Sequence, residues 1–212
     1  MPAGFVYPVP DSLSDDAAGL IEPLSVGVWA AQRSDVSPGD DVLVTGAGPI
    51  GLIAAQCARA YGAASVTVTD VVESRLQVAR RLGFEALNVA QTPLTPEVLQ
   101  ADVLLECSGN ARATWDAVMA VRRAGRVVLV GMGGDEVALP LSRVQDHELV
   151  ITGAFRYANT WPTAIQLAAS GAVDLDVLVT GAFGLDDVEA ALTASRDNPD
   201  AMKTMVRPGL TG

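Results

Sequence analysis

Residues 40–70 read DDVLVTGAGPIGLIAAQCARAYGAASVTVTD. Their order of residue types spells strand, glycine turn, helix, strand. Val42, Leu43 and Val44 form a short aliphatic run of the kind that a parallel sheet buries on both faces. Gly46, Gly48 and Gly51 follow at G-x-G-x-x-G spacing. A helix is predicted from Pro49 to Tyr61, with Ile50, Ile53, Cys57 and Ala60 recurring along one face. Pro49 suits a first helical turn, where a missing N–H leaves no bond unmade. Gly62 suits a left-handed cap at the other end. Ser65–Thr69 is a second strand, and Asp70 stands at its end.

Each glycine has a physical task in such a unit. Gly46 permits the turn off the strand. Gly48 leaves room for a pyrophosphate against the backbone, and Gly51 lets the helix pack close to the sheet. Pro49 and Ile50 belong to the same turn, where free N–H groups and the helix dipole face the phosphates. Asp70 follows the last glycine by about 20 residues, where a carboxylate accepts hydrogen bonds from the adenosine ribose hydroxyls. The plainer reading of the same residues is a glycine-rich turn with Asp70 as a solvated strand end. The strand before, the helix after and the acid at that distance together favour dinucleotide binding.

Composition narrows the partners. The chain has 212 residues, half of them hydrophobic, few aromatics and a formal net charge of −11. It is long enough for one large domain with appendages. The negative charge argues against nucleic acid and anionic membrane surfaces as partners. No apolar run reaches the length of a membrane span, and no secretory leader opens the sequence. Cys57 and Cys107, the only cysteines, read as reduced core residues of a cytoplasmic protein.

The rest of the chain alternates helix and strand. Residues 1–12 are an extended lead-in. Asp15–Arg33 is predicted as one helix, with a kink or late start at Pro23. After Asp70 come a helix over Glu73–Leu82 burying Val72, Leu76 and Ala79, a short strand over Ala86–Val89, and a fourth strand over Val103–Cys107. Ser108 and Gly109 follow, with Asn110 placed to cap the next helix. Gly125–Val130 and Leu149–Phe155 are the fifth and sixth strands. Then come a helix over Trp161–Ser170, an extended run over Leu175–Thr180, a helix over Leu185–Ser195 and a strand over Met202–Val206. This alternation predicts an α/β fold with a doubly wound parallel sheet of the Rossmann type. The expected divisions are 1–36 as lead-in and linker helix, 37–180 as the dinucleotide-binding domain, and 181–212 as a helix and strand.

Five segments carry a resemblance: IEPLSVGVWA, VLVTGAGPIGLIAAQCARAYGA, VLLECSGN, VVLVGMGG and GAFRYANTWPTAI. Together they resemble zinc-dependent medium-chain dehydrogenases, most closely the polyol branch that includes sorbitol and xylitol dehydrogenases. The likeness runs over essentially the whole chain. EPLSVG and FRYANTWP are far narrower signals than the glycine block. In that family an N-terminal catalytic domain carries the zinc ligands, and residues 181–212 would return to it. This chain opens where that domain hands over. With one histidine and two cysteines it is short of the three convergent ligands that a catalytic zinc needs, and His147 in its polar QDHE stretch reads as a surface residue. The expectation is a cofactor-binding part without metal ligands of its own, inactive or nearly so alone. Zinc would belong to the intact enzyme.

The resemblance also implies roles. Asp70 should select NAD over NADP, because a 2′-phosphate beside a carboxylate costs roughly 1–4 kcal/mol per charge pair. Arg75 is placed against the adenine; a solvent-facing helix arginine is its other reading. Ser108 and the strand-end residues Val130, Gly131 and Met132 are placed along the cofactor, the last three near the nicotinamide. Phe155, Arg156 and Tyr157 are placed by the nicotinamide half and the polyol hydroxyls. Glu22, among Ile21, Pro23 and Leu24, faces the zinc and its bound water in the family, and burial beside an Arg156 partner would suit it; a carboxylate capping the first helical turn beside Pro23 is its other reading. Glu22, Arg156 and Tyr157 are therefore the candidate catalytic residues. A homodimer or tetramer is implied as well. Two other readings differ in class: a zinc-free reductase of the same superfamily, against which EPLSVG counts, and a stand-alone NAD-binding module.

Overall fold

The computed structural model describes residues 2–210. Six strands form one parallel sheet in the order β3-β2-β1-β4-β5-β6. They are β1 (Asp41–Thr45), β2 (Ser65–Asp70), β3 (Glu85–Asn88), β4 (Ala101–Glu106), β5 (Val121–Leu129) and β6 (Val150–Gly153). Strand β1 is central, with Val42 opposite Val66 of β2 on one side and Val103 of β4 on the other.

Alternation along β1 sends its side chains into two cores. Val42 and Val44 join Val66, Val68, Val103 and Leu105 in one. Leu43 joins Leu104 and Val127 in the other. The first core is covered by α2 (Ile21–Arg33), α3 (Pro49–Ala60), α4 (Glu73–Arg81) and α7 (Trp161–Ala169), which bring in Leu24, Leu52, Leu76 and Ala164 among others. The second is covered by α5 (Ala111–Met119) and α6 (Leu141–Asp146), through Ala117, Val118 and Val144. The chain changes face between β3 and β4. The sheet is thus doubly wound, with its switch point between β1 and β4.

Two close approaches hold α3 in place. A Cβ on Gly51 would lie 1.8 Å from the Gly46 carbonyl oxygen, so only glycine lets the helix start against the turn off β1. One on Gly27 would lie 2.5 Å from Ile53 Cγ2, so α2 and α3 meet almost backbone to side chain. At the amino ends of the strands, Arg122 bridges Asp41 and Asp102 at 2.8 Å each, and Arg126 pairs with Asp40. That girdle leaves the carboxyl ends free for a site.

A smaller unit follows. Strand β7 (Val179–Phe183) pairs in parallel with β8 (Lys203–Val206), and α8 (Val188–Asp197) joins them. It packs on α1 (Asp15–Gly19), where Arg207 pairs with Asp16 and Ser14 donates to Asp176.

Several elements differ from the sequence expectation. Asp15–Arg33 is two helices broken at Leu20, so Pro23 falls in the first turn of α2, where its missing N–H is not needed. Val72 is only half-buried, and Val78 takes the expected place beside Leu76 and Ala79. Helix α6 went unread, being six residues long with none of them buried. Leu175–Thr180 is not extended throughout: Asp176–Leu178 is a 3₁₀ turn, and Leu175 and Leu178 are buried at a spacing of three. Leu185–Asp187 is likewise 3₁₀, ahead of α8.

Gly51→Ala should cost about 3 kcal/mol or more, since backbone blocks the new methyl. Gly48→Ala, whose Cβ would meet nothing within 4 Å, should fold like the parent. Thermal melts followed by circular dichroism compare the two; equal melting of Gly51→Ala and the parent would refute the packing argument.

Candidate cofactor cleft and its neighbouring cluster

The carboxyl ends of β1, β2 and β4 open onto a cleft of about 430 Å³. Gly46, Asp70 and Ser108 line it, so three of the residues singled out in the sequence converge there. Gly46 makes its turn at φ +85°, and its N–H donates to the Thr69 carbonyl at 2.7 Å. Gly48 is the N-cap of α3 and Pro49 its first residue; the helical hydrogen bonds begin at Leu52 N–H to Gly48 O, 3.0 Å. The N–H groups of Gly48, Ile50 and Gly51 are therefore left without intrahelical acceptors. Beside Gly48 there is open space. An anionic diphosphate meets here what it needs: free donors, a helix dipole and no side chain in the way.

Asp70 is bound more tightly than a solvated strand end. Its Oδ2 accepts from Ala47 N–H at 2.6 Å, and its Oδ1 from Val71 and Val72 N–H at 2.7 and 2.9 Å. The carboxylate thus ties the end of β2 to the glycine turn, and Oδ2 keeps a lone pair for a further donor.

The cleft also contains residues that sequence reasoning passed over. Val71, Val89, Pro93 and Leu94 form an apolar wall opposite Asn110, Ala113 and the Arg112–Asp116 ion pair. Val89 and Leu94 come from a stretch with no periodic signal, and only the fold brings them beside Asp70. Glu106 was missed too. It is 2% exposed and accepts from Thr45 Oγ1, Ser108 and Gly109 at the floor between β1 and β4. An acid closing an apolar strand, as in VLLEC, was the available signal.

Val130 and Gly131 lie at the end of β5, and both N–H groups donate to the Glu106 carbonyl at 2.8 Å. Met132 beyond them is 82% exposed. Arg75 is not in the cleft. It lines a separate groove with Thr180, Asp200 and Met202, because that face of α4 turns toward the smaller unit.

A second cluster follows β6. Phe155 is 70% exposed, and Arg156, at φ +58°, lies over its ring. Tyr157 meets Trp161 edge-on, and Tyr7 stacks on the same indole. Burial, then the charge of Glu22, push the Tyr157 hydroxyl above its ordinary pKa, against the opposing charge of Arg156. Glu22, Arg156 and Tyr157 are thus near one another, but Glu22 is exposed rather than enclosed, and no Glu22–Arg156 ion pair is present among the described residues. Its apolar sequence neighbours do not surround it, since Ile21, Pro23 and Leu24 turn inward from other sides of α2.

A profile of zinc-binding dehydrogenases matches residues 49–170, which include the start of α3 with Gly51, as well as Asp70, Glu106 and Phe155, Arg156 and Tyr157 after β6. The chain belongs to the zinc-binding dehydrogenase family. Sorbitol dehydrogenases of Bacillus subtilis and Mus musculus are 38% and 40% identical to it over 96% and 92% of its length. Among solved structures, (2R,3R)-butanediol dehydrogenase from Bacillus subtilis superposes with a TM-score of 0.88 at 25% identity over 96% of this chain. An E. coli alcohol dehydrogenase complexed with NADH superposes at 0.87 and 26% identity, also over 96%. The chain spans about 60% of the length of the relatives it matches.

The cleft of this zinc-binding dehydrogenase chain fits the nicotinamide dinucleotide of its family. Zinc is different. Among the described residues no group of three or more His, Cys, Asp or Glu could hold a metal ion. Cys57 is fully buried in the core, and burial raises both its thiol and that of Cys107 far above the ordinary range. His147 caps the end of α6, where burial and the charges of Arg143 and Arg123 hold its pKa below the usual value. No described helix is long and apolar enough to cross a membrane.

Glu22→Gln should lower the Tyr157 pKa toward its ordinary value, part of the way only, because the burial remains. An alkaline absorbance titration of the tyrosines reads it; an unmoved Tyr157 would separate the two residues.

Proposed function

We propose that this chain is the NAD-binding part of a polyol dehydrogenase that oxidises a secondary alcohol. The observation that carries the reading is the cleft at the switch point, where the glycine turn, the unbonded N–H groups of α3 and the Asp70 carboxylate stand together. The adenosine ribose lies at the end of β2, against Asp70. The pyrophosphate lies over Gly46, Gly48, Pro49, Ile50 and Gly51, and the adenine takes the apolar wall of Val71, Val89 and Leu94. The nicotinamide half runs toward Ser108, Val130, Gly131 and Met132. When bound, the nicotinamide accepts the hydride at its C4.

The β6 cluster is assigned to the substrate. Arg156 and Tyr157 offer donors to alcohol oxygens, Phe155 shields the nicotinamide side, and exposed Glu22 faces the same space. The relatives named sorbitol dehydrogenase support a polyol as the substrate class. We place the dinucleotide-binding domain at 37–180, with 1–36 as lead-in and linker and 181–212 returning to a catalytic domain. A two-stranded sheet such as β7–β8 is marginal alone, which supports that return. Zinc would be held outside the residues described here. Two unpaired thiols and a net charge of −11 favour a cytoplasmic protein with no nucleic-acid or membrane partner.

Self-association is part of the same reading. Among the described residues strand β6 pairs only with β5, which leaves its other edge open there, and Val150 on it is 61% exposed. An open edge of this kind pairs with its copy across a two-fold axis.

Calorimetry should find NAD bound in preference to NADP. Asp70→Ala should weaken NAD roughly tenfold and narrow the gap between cofactors, since a charge-assisted hydrogen bond is worth about 1.5–3 kcal/mol. Equal binding of both cofactors to the parent would overturn the ribose assignment. For the edge, light scattering should show dimers or tetramers from the parent and monomers from Ile151→Lys; a monomeric parent at high concentration would remove the interface.

A further inference from the structure

We propose that Glu106 is a positioning residue for the cofactor, a buried carboxylate that holds the loops after β1, β4 and β5 in the shape the nicotinamide half rests on. The inference rests on the cofactor reading given above and extends it to a residue that never faces the ligand as a donor.

The carboxylate is surrounded by donors only. Oε1 accepts from Ser108 N–H at 2.9 Å, Gly109 N–H at 3.1 Å, Thr45 Oγ1 at 3.1 Å and the Ser108 hydroxyl. Oε2 accepts the shared Gly109 N–H at 3.3 Å. Among the described residues no arginine, lysine or histidine pairs with it. A carboxylate enclosed this way costs desolvation that an apolar residue of similar volume would avoid. Packing alone therefore does not account for it, whereas orienting four donors does.

Main-chain contacts carry that orientation across three strand ends. The Glu106 carbonyl accepts both the Val130 and Gly131 N–H groups at 2.8 Å, and Cys107 N–H donates to Thr45 O at 3.0 Å. Gly109, at φ +62°, is pressed against the loop after β5: a Cβ on Gly131 would lie 2.3 Å from Gly109 N, and one on Gly133 2.0 Å from Gly109 O. Gly109 cannot shift without moving residues 131–133. The hydroxyl of Ser108 is also committed. It donates to Glu106 and accepts Asn110 N–H at 3.1 Å. Toward the cleft it has only a lone pair left, and so it receives a donor such as a ribose hydroxyl of the nicotinamide half.

Glu106→Gln keeps the volume but places an NH₂ among donors, against either Gly109 N–H or Ser108. The disturbance falls most on the β4–β5 side of the cleft, since none of the donors to the carboxylate comes from β2. NADH and AMP binding to the 212-residue chain and to Glu106→Gln, measured by calorimetry alongside thermal melts, separates positioning from plain stability. NADH should weaken by about tenfold or more, and AMP by no more than about twofold. A merely structural residue would lower the melting temperature and leave the AMP-to-NADH affinity ratio unmoved, and an unmoved ratio overturns the proposal. Should Glu106→Gln fail to fold, Ser108→Ala removes one of the same donors and should shift the ratio in the same direction; no shift there also overturns it. If the unmodified chain binds neither ligand, the cofactor reading falls and this role with it. If it binds both and the ratio holds in the variants, only the positioning role falls.

Discussion

The first turn of α3 can rest on the turn off β1 only because position 51 carries no side chain. A methyl there would lie 1.8 Å from the Gly46 carbonyl oxygen, well inside contact distance. That single approach sets the height of the helix above the sheet. It aims the unbonded N–H groups of Gly48, Ile50 and Gly51 at the space over the strand ends. The position of β2 follows, because α3 is the crossover that delivers it beside β1, and Asp70 arrives within 2.6 Å of Ala47 N–H.

The carboxyl edge of the sheet is organised by two acids that do different work. Asp70 ends β2, half-exposed, and clasps the glycine turn through backbone donors. Glu106 ends β4, enclosed, and gathers donors from three strand ends. The opposite edge is closed by ion pairs of Arg122 and Arg126 with Asp40, Asp41 and Asp102. Charges at one end brace the sheet, while at the other the backbone donors and carboxylates leave a cleft open at the switch point.

Much of this was legible in the sequence, for definite reasons. Gly46, Gly48, Gly51 and Asp70 are close in sequence, and their tasks depend on one strand–turn–helix–strand unit. Alternation in β1 and helical periodicity in α3 are local as well. The failures are equally specific. Pro23 reads as a kink or a late start, and only the structure shows that the break lies at Leu20 with the proline in the first turn of a new helix. Leu175 and Leu178 look like strand residues until they are seen buried on a 3₁₀ turn that Gln56 pins through the Asp174 backbone. Glu22 has apolar neighbours in sequence but not in space, since a helix sends adjacent residues about 100° apart.

The sequence by itself determined the fold class, the glycine turn and the acid at the end of β2, because each depends on residues within one supersecondary unit. The tertiary structure decided which distant residues share a site. Val89, Leu94 and Arg112 reach Asp70 only because the chain changes face after β3. Arg75 leaves the cleft because its helix face turns to the β7–β8 unit. Glu106 becomes the hub of three loops only once β1, β4 and β5 lie side by side. Those contacts depend on strand order and register, which local propensities do not encode.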